Sequence, residues 1–140
     1  MFGPLKFSVL AAALVAAAPA HAVTRPDAPV QGWSAMAGLP VPDLLRQAQE
    51  LPTSDMAVGD QPYCAADAEI EHTLDHDFSE ALVDAGGHQG MGTELWGSDQ
   101  LGTWTLVAAR TDGISCIIAS GTGYSAQAEA ETYYTVAGLE

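Results

Sequence analysis

Residues 102–120 read GTWTLVAARTDGISCIIAS, and the fold follows from how this stretch alternates. From Gly102 to Arg110, Trp104, Leu106 and Ala108 fall on one face and Thr103, Thr105 and Val107 on the other, the two-residue period of a β-strand. Asp112-Gly113 suits the tight turn of a hairpin, because both residues tolerate positive φ. Ile114 to Ser120 then forms the returning strand, with Cys116 and Ile118 sharing a face. Strands joined this closely are antiparallel, since a parallel pair needs a long crossover.

Working outward towards the N-terminus, Thr93–Gly97 and Glu80–Ala85 read as two more short strands. They are punctuated by Ser98-Asp99-Gln100 and Gly86-Gly87. Before them Ala66, Ile70, Leu74 and Phe78 recur every fourth residue, the stripe of an amphipathic helix in a core that begins at Tyr63. Asp67, Glu69, Glu71 and Asp75 fill the opposite face, the first two at the helix start, where the dipole favours negative charge. The expected fold is α+β: one amphipathic helix on a four-stranded antiparallel meander, with Ile70, Leu74 and Phe78 packed against Trp104, Leu106 and Ile118.

The flanks carry weaker patterns. Residues 23–62 read as a flexible N-terminal arm, with Pro26, Pro29, Gly32 and Gly38 breaking regular structure and Trp33 and Met36 available to pin it. Within it Pro42–Leu51 spaces Leu44, Leu45, Ala48 and Leu51 as a short helix that Pro52 stops, and 53–62 reads as a linker. The core runs over 63–124. Residues 125–140 mix Ala, Glu and the adjacent Tyr133 and Tyr134, as a weak helix or an acidic tail.

Residues 1–22 have the parts of an export signal: Lys6, an apolar run from Phe7 to about Ala18, and Ala20-His21-Ala22 at the cleavage position. The run is shorter than the ~20 residues that span a bilayer. The sequence thus predicts a periplasmic or secreted protein with no membrane span in the mature chain. Cys64 and Cys116 are the only cysteines, and in an oxidising compartment they read as a structural disulfide. Neither sits in a CxxC, which disfavours a redox pair or zinc ligation. After residue 22 there are three basic and 18 acidic side chains, a net charge of −15. Such a surface repels phosphate backbones and anionic lipids, so nucleic acid is excluded as a partner.

Five stretches together have a family look: Cys64, the helix ending in Phe78-Ser79-Glu80, Glu94-Leu95-Trp96, Gly102-Thr103-Trp104-Thr105, and Asp112-Gly113-Ile114-Ser115-Cys116. They resemble a group of small uncharacterised exported proteins of Gram-negative bacteria that share a GTWT strand and a G-x-[ST]-C strand. The resemblance spans about 58 residues, under half of the chain. It implies a fold and a compartment, and brings no activity, ligand or catalytic residue.

His72 and His76 are the sharpest chemical feature. At i and i+4 they share a helix face, a spacing that chelates zinc or copper, with Glu69, Asp75 or His88 as further ligands. Thr73 stands where the HExxH motif has its glutamate, so a metalloprotease base is missing. A pH response is a weaker reading of the same pair. The acids Asp67, Glu69, Glu71, Asp75, Asp77 and Glu80 lack a calcium-loop pattern and read as a solvated face. There is no GxSxG elbow and no Cys–His couple. Gly90-Met91-Gly92 and Gly121-Thr122-Gly123 lack the lysine of a phosphate cradle and read as turns. Trp104 belongs to the core; Trp96, at a strand end, is either a partner anchor or a second core layer. The expected function is a non-enzymatic exported domain without a cofactor, binding a protein or cell-envelope partner through a sheet face or edge. A metal-binding or metal-sensing protein using His72 and His76 is the alternative, and a small hydrolase ranks last.

Overall fold

The computed structural model describes residues 28–54, 61–87 and 92–139. The export signal expected over 1–22 lies outside these, as do His88 and Gly90-Met91. The elements are β1 (Gln31–Trp33), α1 (Val41–Ala48), β2 (Tyr63–Ala66), α2 (Asp67–Phe78), β3 (Ala81–Asp84), β4 (Thr93–Gly97), β5 (Thr103–Ala109), β6 (Ile114–Thr122) and α3 (Ala130–Val136).

The expected antiparallel meander β3-β4-β5-β6 is present, but the sheet has six strands, not four. β1 and β2 both add to the outer side of β6, end to end: β2 pairs with Ile114–Ile117 and β1 with Ser120–Thr122. Ile118 falls in the gap between them and is also the extra residue of a bulge against β5. Its carbonyl accepts from the Ser34 hydroxyl (2.6 Å) just after β1. It also accepts from the Gln61 amide nitrogen (3.0 Å) just before β2, whose oxygen takes the Ser120 hydroxyl. A buried carbonyl thus keeps its partners where the ladder is interrupted.

Tyr63–Ala66 is a strand where the apolar stripe suggested the start of a helix. In β2, Cys64 lies directly opposite Cys116 of β6, and the two form the disulfide, with Cα atoms 4.0 Å apart. α2 then begins at Asp67, whose carboxylate accepts from the Ser115 hydroxyl (2.5 Å).

The helix packs on the opposite face from the one expected. Ile70 and Leu74 bury against Tyr63, Ala65, Val107 and Ile117. Trp104, Leu106, Ala108 and Ile118 point to the other side, where α1 and α3 supply the cover: Leu44, Ala48, Tyr133, Tyr134 and Leu139 are all within 1 % of full burial. The part of the arm from Met36 to Ala48 is therefore core, and so is the described end of the tail. The Tyr133 hydroxyl donates to Ser125 O (2.9 Å), Tyr134 hydrogen-bonds Thr93, and Gly38 N–H donates to Gly138 O (2.9 Å). Three helices and the sheet make a three-layer α+β domain.

A row of glycines crosses the sheet under the aromatic cluster. Gly97 of β4 faces Trp104, which faces Gly121 of β6, which faces Gly32 of β1. A Cβ at Gly32 or Gly121 would lie 2.3 or 2.6 Å from the Trp104 indole, and one at Gly97 would lie 2.3 Å from the Tyr124 ring. The missing side chains are the space into which Trp104 and Tyr124 lie flat. Tyr133 completes the cluster, edge-on to Trp104 with ring centroids 5.1 Å apart.

Candidate functional site

His72 and His76 stand exposed on the outer face of α2, their rings stacked with centroids 5.1 Å apart. The spacing predicted from the sequence is realised, but His76 Nδ1 is turned to its neighbour Asp77 (2.9 Å). That hydrogen bond, with the charges of Asp77 and Asp75, holds the His76 pKa above its ordinary value. Among the described residues no third histidine, cysteine, aspartate or glutamate joins the pair to form a metal-binding group.

The partner surface expected at a sheet edge has a concrete form. β3 is the last strand of the sheet on the side away from β6, so among the described residues no strand covers its outer backbone row. Leu82 and Val83 of this strand are 48 % and 47 % exposed. Natural sheets blunt such edges with lysine, proline or a bulge. β3 has neither residue type; what protects it is its four-residue length, the charge of Asp84 at its end and a register shift between Leu82 and Asp84. Trp96 is the cross-strand neighbour of Leu82. It is half-buried against the α2 cluster, and its indole N–H donates to Glu94 (3.0 Å). It backs the edge strand and does not project from it.

A second site emerges where α2 ends. Ser79 takes the left-handed conformation (φ 51°), and its N–H and that of Glu80 (2.9 Å) both turn back to Leu74 O, a left-handed cap that closes the helix. This turn swings Glu80 inward. Its side chain is 1 % exposed, a correction to its place in the solvated acidic face. It lines a pocket of about 270 Å³ with Phe78 of α2, Thr103 and Thr105 of β5, and Ser120 and Thr122 of β6. Burial drives its pKa up to about 7, against the pull of the Thr105 and Thr103 hydroxyls. The two threonines lie near enough to draw the pKa down, yet neither carboxyl oxygen closes a hydrogen bond of normal distance and angle with them or with any other described residue, and neither does the hydroxyl of Thr103. The buried side-chain oxygens left without partners thus converge on one pocket. Native interiors rarely leave such groups unpaired, so a pocket that collects them points to chemistry.

The two described arginines are committed elsewhere. Arg46 pairs with Asp43 (2.8 Å) on α1, and Arg110 binds Asp112 and the Leu51 carbonyl (both 2.5 Å). Glu80 therefore has no internal counter-ion among them. The chain matches no protein-family model, no curated protein and no solved structure.

Proposed function

We propose that this chain is an exported, non-enzymatic binding domain that takes up an extended segment of a protein or cell-envelope partner by strand addition at β3. The observation that carries the reading is the open backbone row of β3 beside half-exposed Leu82 and Val83. An added strand gains main-chain hydrogen bonds along Ala81–Asp84 and covers both apolar side chains. The occupant is a basic segment. With 18 acidic and four basic residues the chain attracts positive partners, and a second copy would meet like charge. Export rests on the leader read in residues 1–22 and on the disulfide, which suits an oxidising compartment.

The test places a photo-crosslinking residue at position 82 and, as a control, at exposed position 101, in the mature oxidised protein incubated with envelope extract. The reading expects one partner from position 82 only. That partner should slow amide exchange over Ala81–Asp84, and should be lost in a Leu82→Lys, Val83→Lys variant. Equal labelling from both positions, or binding indifferent to the lysines, would sink it.

A further inference from the structure

We propose that the Glu80 pocket is a binding site for a small organic cation, an ammonium or guanidinium on a short apolar stem, with the Glu80 carboxylate as its counter-ion. The inference is independent of the reading for β3. It rests on a cavity that runs from buried Glu80 to exposed Thr122, with both Glu80 oxygens and the Thr103 hydroxyl unpartnered among the described residues. An ammonium carries only donors and a guanidinium has five, so either satisfies two carboxylate oxygens and leaves a bond for a threonine hydroxyl. A carboxylate or phosphate ligand would set like charge against Glu80. A neutral alcohol would leave the buried acid without a counter-charge.

The remaining walls fit the stem. Phe78 and Trp104 are among the residues that line the cavity, and an aromatic wall suits an apolar stem that carries a cation. At about 270 Å³ the volume sits just below the ~300–1,000 Å³ common for ligand pockets, which limits the ligand to a short chain. The Ser120 hydroxyl is already held by Gln61 and Thr122 is exposed, which leaves the Thr103 and Thr105 hydroxyls, the two beside Glu80, to orient the head group. No other titratable side chain lines the pocket: α2 contributes Phe78, β5 contributes Thr103, Trp104 and Thr105, and β6 contributes Ser120, Gly121 and Thr122. Binding exchanges one proton for one cation. The protonated acid loses its proton to the buffer, and the carboxylate that remains pairs with the ligand.

The test is calorimetric and NMR titration of the oxidised mature protein with n-butylammonium and n-butylguanidinium, against n-butanol as the neutral isostere of the first. The cations are expected to bind at least about tenfold more tightly than the alcohol, with shifts centred on Thr103, Thr105 and Ser120. Affinity for the cations should rise close to tenfold per pH unit below the carboxyl pKa and level off above it. Glu80→Gln should reduce cation binding to the level of the alcohol. Glu80→Asp, which keeps the charge but withdraws it by one methylene, should retain part of it and shows that the pocket still folds. The other 17 acidic residues remain in the glutamine variant, so diffuse attraction to the surface would survive it. Three results overturn the proposal: equal affinity for cation and alcohol, unchanged binding in Glu80→Gln, or no saturable binding of any probe up to tens of millimolar.

Discussion

Replacing Glu80 with glutamine should abolish a specific loss of stability between mildly acidic and neutral pH. In the unfolded chain the carboxyl titrates near its ordinary 4.5, and in the fold near 7. Between those values the folded protein holds a proton that the unfolded chain has released. Protonation therefore favours the native state, and this contribution is whole below about 4.5 and gone above about 7. At ~1.4 kcal/mol per pKa unit the gap corresponds to about 3 kcal/mol. Glutamine has nearly the same shape, stays neutral throughout, and brings amide donors to the Thr103 and Thr105 hydroxyls. Urea unfolding followed by tryptophan fluorescence, run in parallel on both proteins from about pH 4.5 to 8, gives the difference directly, because the other acids are common to both. The two should be close at the acidic end. The variant should be more stable by about 3 kcal/mol at the alkaline end, on the order of 10 °C in melting temperature. A difference that stays flat with pH would show that Glu80 does not titrate in this range and would refute the reasoning.

Other substitutions probe the devices that build the fold. Cys64→Ser with Cys116→Ser should lower the unfolding free energy by about 4 kcal/mol, since the bridge closes a loop of 52 residues, and a loss below about 1 kcal/mol would contradict this. Gly121→Ala puts a methyl 1.9 Å from the Gln31 carbonyl oxygen and 2.6 Å from the Trp104 ring, so it should cost about 2 kcal/mol or more. Amide exchange over Gln31–Trp33 should rise with it, and an unaltered β1 would count against the close approach. Ser79→Gly should stabilise the chain by up to about 1 kcal/mol in thermal melts, because glycine adopts the left-handed cap without a Cβ penalty. A loss instead would mean that the Ser79 side chain, not its backbone, holds the turn.

The β5–β6 hairpin was legible because alternation runs unbroken through nine residues and ends on Asp112-Gly113. α2 was legible from Ile70 and Leu74. β1 and β2 were not, for a physical reason: Gln31–Trp33 and Tyr63–Ala66 are too short to show a period, and they exist only because β6 is long enough to hold both. The face taken by α2 was misread because β5 is apolar on both sides. Trp104 and Leu106 outweigh Val107 in size, yet size does not say which helix covers them. With Leu44 assigned to an arm and Tyr133 to a tail, no other cover was in view. Glu80 was missed because it ends a run of surface acids, and a single backbone torsion at Ser79 turns it inward. No periodicity reports such a turn. The Phe-Ser-Glu at the end of the stripe was the nearest signal.

The bridge between β2 and β6 also decides how the domain yields to a pulling force. Residues 64 to 116 form a covalent ring that holds α2, β3, β4 and β5, and with the disulfide intact this ring hides roughly 180 Å of contour length from any load applied at the ends. Only the chain outside the ring can pay out. On the N-terminal side β1 is fixed to β6 by three residue pairs and peels first, after which extension stops at Cys64. Tension on the N-terminal segment would thus strip the cover from Trp104 while leaving the helix and the edge strand β3 inside an unopened loop.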